Sequence, residues 1–423
     1  MNLRAPIPAA LLVMLGTICG PTFGADAPSD AATSPAPVPA AETAPSDAPA
    51  PVKIGILTDE SGPYATIGGS GSVLAARLAV VDYGGKVLGR PITLLDADHK
   101  NDPAVGTAIL NAWFDTDGVD AVAGLSTSSV ALAAQEIGRA RDKTLLIAGA
   151  PDSDLTGKAC AAISSHWAED TQALARSTTE AVVQSGGDSW FFVTVDYAFG
   201  HAMERDAIDA VKTQGALVLG RIRHPLGATD FASYLDAAKK SRAKVIALAD
   251  AGTDLVGAIK QADAAKIYDT GQSLAGLLVY ITDIDAVGLT AAQRLYVTEG
   301  FYWDQNDQAR AFAKRFNAEA HHMPTKQQAA TYASVGHYLK AADAAGTLEA
   351  RAVNAKMRAT PVDFFGRTGS IRADGQVVYD LTLYQVKSPA ESQYPWDYLK
   401  KVRDIPADRA FRPVAESGCP LGK

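Results

Sequence analysis

At 423 residues the chain is long enough for two domains, each with its own core. A content of 47% hydrophobic and 20% charged residues is that of an ordinary folded protein. A formal net charge of −8 and a pI near 5.4 argue against nucleic acid or an anionic membrane surface as partner.

Residues 1–24 read as a secretory signal peptide. Arg4 supplies the charged start, Ala9–Cys19 the apolar run, and Thr22–Gly24 a cleavage site before Ala25. The apolar run is too short to span a bilayer. Bulky Ile18 stands where a lipoprotein signal needs a small residue, which argues against a lipid anchor at Cys19. Residues 25–51 are Ala, Pro, Ser, Thr and acidic side chains with almost nothing to bury, so they are expected to form a disordered linker. Export leaves Cys160 and Cys419. Two thiols in an oxidising compartment usually pair, and that bond would tie the tail to the loop after Leu155–Cys160; two buried free thiols are the alternative.

From Lys53 onward strand and helix patterns alternate. Lys53–Leu57 reads as a buried strand, then a Gly/Ser/Pro-rich loop, then a helix from about Ser70. Ile92–Asp98, Val119–Gly124 and Thr144–Gly149 follow as strands, separated by helices over Asp102–Thr116 and Ser129–Arg141. Continuous apolar strands in this rhythm mean a parallel sheet covered on both faces. The rhythm restarts after a helix at Ala168–Gln184, with strands at Trp190–Val195, Ala216–Arg223, Lys244–Ala249 and Leu274–Thr282. Two long helices, Asp307–His322 and Lys326–Ala345, then run without an intervening strand, and Asp380–Lys387 alternates like an antiparallel edge strand. The fold class expected is α/β, with two Rossmann-like lobes.

Loops at the carboxyl ends of parallel strands line the ligand crevice of such folds. The loop Ser61–Gly68 sets the ring of Tyr64 among small residues. The run Gly124–Ser129 puts hydroxyls at a helix start, where free N–H groups suit a carboxylate. One of those hydroxyls is expected to cap its own helix, leaving Ser126, Thr127 and Ser128 as ligand candidates. His166 and Trp167, and Tyr302 beside Trp303, are ring pairs that either stack on a ligand or pack a joint.

No enzyme signature assembles. Gly69–Leu74 matches a dinucleotide loop only as far as GxG and lies too far from its strand. There is no G-x-S-x-G elbow, and adjacent His321 and His322 cannot share one helix face as metal ligands. No cofactor is expected.

The stretch TDESGPYATIGG (Thr58–Gly69) followed by a helix resembles the opening of the type I periplasmic binding proteins of the branched-chain-amino-acid class, the solute receptors of ABC importers. The resemblance extends over roughly residues 52 to 390 and implies two lobes joined by three crossings, near Ser165–Ala168, Gly300–Trp303 and Phe365–Arg372. It places 52–166 with 301–366 in lobe 1, 167–300 with 367–388 in lobe 2, and 389–423 as a tail returning to lobe 1. By the same resemblance the serine-rich run holds a ligand carboxylate, and Gly149–Gly157 contacts the ligand through Ala150 and Asp152, for which an Asx-type turn is the alternative. Phe199, for which core packing is the alternative, and Ala251–Gly252 in the small run Ala249–Asp254 (Asp250 included) replace tyrosines, and Asp283 falls near an ammonium-binding acid, for which helix capping is the alternative. Pro151 stands where the family carries threonine. These departures favour a larger or less zwitterionic organic acid, aromatic acids included. The function implied is a periplasmic receptor that acts as a monomer and delivers a small molecule to ABC permease subunits. A sensor for a signalling partner and a secreted hydrolase are the alternatives.

Overall fold

The structure is a computed structural model and describes residues 49–422, so the expected signal peptide, Cys19 and most of the linker lie outside the described residues. The first apolar run becomes β1 (Val52–Thr58), flanked on each side by a parallel neighbour. With helices on both faces it has no solvent side, which is why its sequence does not alternate. Gly55 in its middle faces the ring of Trp113: a Cβ there would lie 2.4 Å from the ring carbon Cζ3. Only glycine lets the indole close on the sheet.

The chain continues through α1 (Gly69–Tyr83), β2 (Lys86–Val87), β3 (Arg90–Asp98), α2 (Pro103–Ala112), β4 (Ala121–Gly124), α3 (Ser128–Arg141), β5 (Thr144–Ile147) and β6 (Ser164–His166). These strands form one six-stranded sheet in the order β2-β3-β1-β4-β5-β6. Asp102 caps α2 by accepting the N–H of Ala104 at 2.7 Å, with Pro103 at the first helical position, as the sequence requires.

The second series is α4 (Thr171–Gln184), β7 (Ser189–Val195), α5 (Ala198–Thr213), β8 (Leu217–His224), α6 (Ala232–Ser241), β9 (Val245–Ala249), α7 (Gly252–Ala264) and β10 (Ser273–Gly276). It builds a parallel sheet in the order β10-β9-β7-β8. The strand expected over Leu274–Thr282 stops at Gly276. The Asp283 carboxylate accepts the Tyr280 N–H at 3.0 Å and starts α8 (Ile281–Val287) instead. A local cap outweighs the β-branched propensity of that stretch.

After α9 (Leu289–Ala292) and β11 (Tyr296–Glu299), three helices return to the first sheet: α10 (Asp307–Ala320), α11 (Lys326–Ala345) and α12 (Ala350–Ala359). Helix α11 shares a core with β1 and α1 in which Ile54, Ile56, Leu74, Tyr338 and Leu339 are buried together. Next come β12 (Val362–Phe364), β13 (Arg367–Ile371) and β14 (Val377–Val378), an antiparallel sheet of their own. Residues Phe365–Arg372 are therefore its turn and second strand. The segment expected at an edge, β15 (Leu381–Val386), lies between β11 and β16 (Leu399–Ile405) and is buried on both faces. After β16 comes α13 (Ala407–Ala410), and Ile405, Ala410 and Phe411 are buried in the same core as Ile54 and Tyr338. Cys160 and Cys419 are disulfide-bonded, with 5.8 Å between their Cα atoms.

Candidate functional site

Loops from both sheets meet over one cavity. Asp59, at the end of β1, folds its loop by accepting the N–H groups of Gly62 (2.8 Å) and Tyr64 (3.0 Å). That Asx-type turn presents Tyr64 to the second sheet. There the Tyr197 hydroxyl donates to the Tyr64 hydroxyl at 2.7 Å, and the Thr253 N–H reaches the Pro63 carbonyl at 3.3 Å. Gly252 has a φ of +59°, and a Cβ on it would lie 2.5 Å from that same carbonyl. Both the backbone conformation and the close approach exclude a side chain.

The cavity is lined by Tyr64, Ile67, Ser126, Thr127, Ser128, Gly149, Pro151, Tyr197, Phe199, Ala251, Leu278, Tyr280 and Gln327. Its volume of about 10 Å³ is room for a single water, so the two sides stand closed on each other. Among the described residues that line it, none is acidic. Three buried polar atoms on the wall lack any hydrogen-bond partner: Thr127 Oγ1, Ser128 Oγ and Gln327 Nε2. Burying such groups unpaired is costly.

The serine-rich run divides its work differently from expectation. Leu125 adopts a φ of +51°, and the turn it makes carries Ser126–Ser128 into the cavity. No side chain caps α3, neither Ser128 nor Ser129, so its first N–H groups are served by none of the four hydroxyls. Ser126 Oγ accepts the Asp59 N–H at 2.9 Å and sits 2.8 Å from His99 Nε2. The Asn101 N–H reaches His99 Nδ1 at 3.0 Å, which leaves the ring proton on Nε2 pointing at Ser126. Burial pushes the His99 pKa down to about 4, so the ring is neutral near pH 7. With two donors aimed at its oxygen, Ser126 keeps only its own hydroxyl proton to offer a ligand.

Tyr64, Ser126, Thr127, Ser128 and Phe199 are thus brought together. Ala150 stands between two lining residues, its N–H bonded to the Leu125 carbonyl at 3.1 Å. Other candidates lie elsewhere. Asp152 is buried and accepts the Asp154 N–H at 2.9 Å, and burial lifts its pKa to about 6. His166 is buried, with Nε2 2.5 Å from the Ala150 carbonyl and Nδ1 3.0 Å from Gln376 Oε1. Trp167 donates to Ser165 Oγ at 2.8 Å and packs on His337. Both rings are engaged by these internal contacts. Tyr302 and Trp303 donate to the Trp396 carbonyl at 3.2 and 3.0 Å, away from the cavity. Asp283 caps α8 as described, and Asp250 Oδ2 is 2.8 Å from His224 Nε2.

Sequence reasoning missed Ile67, Tyr197, Leu278, Tyr280 and Gln327. Tyr197 is two residues from Phe199 and was within reach of the same argument. Gln327 lies within a readable capping box at Thr325–Gln328, yet only the tertiary fold lays its amide against Gly68 and Gly149, whose added Cβ atoms would fall 2.3 Å from it.

Residues 51–392 match a protein-family model described as periplasmic binding protein. Among solved structures the chain is similar to a periplasmic binding protein from Burkholderia mallei, with 43% identity, a TM-score of 0.86, and 88% of this chain and 99% of that one covered. It is also similar to a branched-chain amino acid ABC transporter periplasmic ligand-binding protein from Burkholderia xenovorans LB400, at 34% identity and a TM-score of 0.79, covering 88% and 100%. A solute-binding protein of an ABC transporter from R. palustris, solved in complex with benzoate, has 21% identity and a TM-score of 0.78, covering 88% and 100%. No curated protein matches the sequence.

Proposed function

The chain belongs to the periplasmic binding protein family, and from that premise we propose that it is the extracytoplasmic receptor of an ABC importer whose ligand is an aromatic carboxylate. The observation that carries this reading is the wall of the cavity. Four rings (Tyr64, Tyr197, Phe199 and Tyr280) face three unpartnered polar groups at Thr127, Ser128 and Gln327. Rings give a flat apolar ligand its contact area, and hydroxyl and amide donors at the start of α3 suit a carboxylate. An α-amino acid also needs an acid for its ammonium, and the nearest expected one, Asp283, is engaged at the Tyr280 N–H. The benzoate held by the R. palustris protein supports the same ligand class.

The lobes we propose follow the two main sheets. Residues 52–166 with 301–378 form one and 167–300 with 379–405 the other, and the tail from 406 rejoins the first. A cavity of about 10 Å³ admits no benzoate, so uptake proceeds by parting these lobes at the hinge and closing again. The partners in this reading are ABC permease subunits, the receptor acts as a monomer in the periplasm, and it binds rather than transforms its ligand. Among the described residues, no helix is long and apolar enough to cross a membrane.

Calorimetric titration of the mature protein with benzoate, 4-hydroxybenzoate, leucine, isoleucine and valine tests the ligand class. Binding of a benzoate with no response to the three amino acids is expected. Micromolar binding of any of the three amino acids overturns it.

A further inference from the structure

Behind the second wall of the cleft lies a cluster that the ligand site does not use. His224 ends β8, Asp250 follows β9 and Asp254 stands in the first turn of α7, and one nitrogen or oxygen from each lies within 4.8 Å of the others. All three side chains are buried. His224 Nδ1 is 3.0 Å from the Pro225 carbonyl, which holds a ring proton on that nitrogen and turns Nε2 inward. Nε2 sits 2.8 Å from Asp250 Oδ2. Asp254 Oδ2 accepts the Gly227 N–H at 2.9 Å. The remaining oxygens, Asp250 Oδ1 and Asp254 Oδ1, are buried with no partner at all.

Both ring nitrogens of His224 face acceptors, so the 2.8 Å contact with Asp250 holds a proton at the place where a dication would displace it. A metal-ligating histidine characteristically gives its other N–H to a backbone carbonyl or carboxylate, and metal-ligating carboxylates are themselves hydrogen-bonded. Both features are present, through Pro225 and Gly227. Ligands about 2.0–2.2 Å from a tetrahedral zinc ion lie roughly 3.4 Å apart, so the His224–Asp250 pair needs only a small separation to admit one.

We propose that His224, Asp250 and Asp254 form a binding site for a divalent transition-metal ion, with zinc the best fit to one nitrogen and two carboxylate donors. The dication neutralises the two carboxylates and takes up the two orphaned oxygens. It also ties the ends of the Asp250–Asp254 turn, whose middle residues Ala251 and Gly252 meet the cavity and Pro63. This inference is independent of the ligand reading.

The test uses tag-free mature protein loaded with zinc chloride and dialysed exhaustively against metal-free buffer. Elemental analysis should find about one zinc per chain, and chelation should lower the melting temperature. Asp254→Asn and His224→Gln, each checked for native circular dichroism, should weaken zinc binding at least about tenfold. A wild-type protein that retains no zinc and shows no thermal response to zinc chloride overturns the proposal. So does undiminished retention in a folded Asp254→Asn variant, which would place the metal at another site. The wild-type measurement decides the matter even where His224→Gln does not fold.

Discussion

Replacing Ser126 and replacing Thr127 should have different consequences although the residues are adjacent. Ser126 Oγ receives the buried Asp59 N–H and faces the proton-bearing His99 Nε2. Ser126→Ala strands two buried donors, at about 1–3 kcal/mol each, with some relief by local relaxation. A loss of about 2–4 kcal/mol is expected, and since unfolding entropy grows with chain length this corresponds to roughly 3–5 °C in melting temperature. Thr127 Oγ1 has no partner, so Thr127→Val, nearly the same shape, removes no internal hydrogen bond. It should leave melting within about 1 °C and weaken benzoate by the value of one charge-assisted hydrogen bond, about 1.5–3 kcal/mol or roughly 10- to 150-fold. Differential scanning calorimetry and isothermal titration on the three proteins measure both quantities. A Ser126→Ala protein that melts like wild type refutes the His99–Ser126–Asp59 argument. A Thr127→Val protein with full affinity refutes the placement of the carboxylate.

Three further outcomes follow from the same geometry. Thiol titration of the denatured, unreduced protein should find neither Cys160 nor Cys419 reactive, and Cys160→Ser should cost about 2–5 kcal/mol of stability; two titratable thiols would contradict it. Burial lifts the Glu299 pKa to about 8 against the opposing pull of Lys326. The folded state then holds a proton that the unfolded state releases near pH 4.5, so stability falls as pH rises towards 8. Between pH 4 and 6.5 the depressed His99 and His166 act in the opposite sense, which leaves pH 6.5–8 as the window for urea titrations, with a slope of at most about 1.4 kcal/mol per unit from this group. Glu299→Gln should remove that part of the slope; an unchanged slope would mean that Glu299 ionises normally. Tyr197→Phe deletes the hydroxyl bond between the two sides of the cleft and should shift the molecule towards an open form by about 0.5–1.5 kcal/mol, read as a larger radius of gyration in solution scattering.

The alternation of buried strands and capped helices was enough to read both parallel sheets, because apolar strands and Asp102-type caps are local signals. The errors occurred where a local choice competes with a similar one. Leu274–Thr282 is apolar enough for a strand, and a single carboxylate at Asp283 turned its end into a helix. At the site, the hydroxyl run was legible, but not which hydroxyl is already engaged. That depends on His99, which lies on a loop 27 residues away in sequence. Gln327 was invisible for a related reason: two glycines far apart in sequence make the slot that holds its amide. His166 and Tyr302 stayed ambiguous in the sequence because a ring at a joint and a ring in a cleft have the same sequence signature.

The return of α11 onto α1 also sets an order of events during folding. The sheet β7–β10 draws its four strands from one continuous stretch, Ser189–Gly276, and needs only short loops to close. The first core is split: β1 and α1 must wait for α11, which arrives more than two hundred residues later in the chain. Closing so long a loop is entropically slow. The four strands of this sheet should therefore protect their amides early, and β1 and the Ser126 turn late, in pulse-labelled hydrogen exchange. Simultaneous protection would contradict this order. A chain caught midway has one finished half and one exposed apolar strand, so the same split that places residues from both ends around the cavity makes the nascent molecule a client for holding factors until its last helices dock.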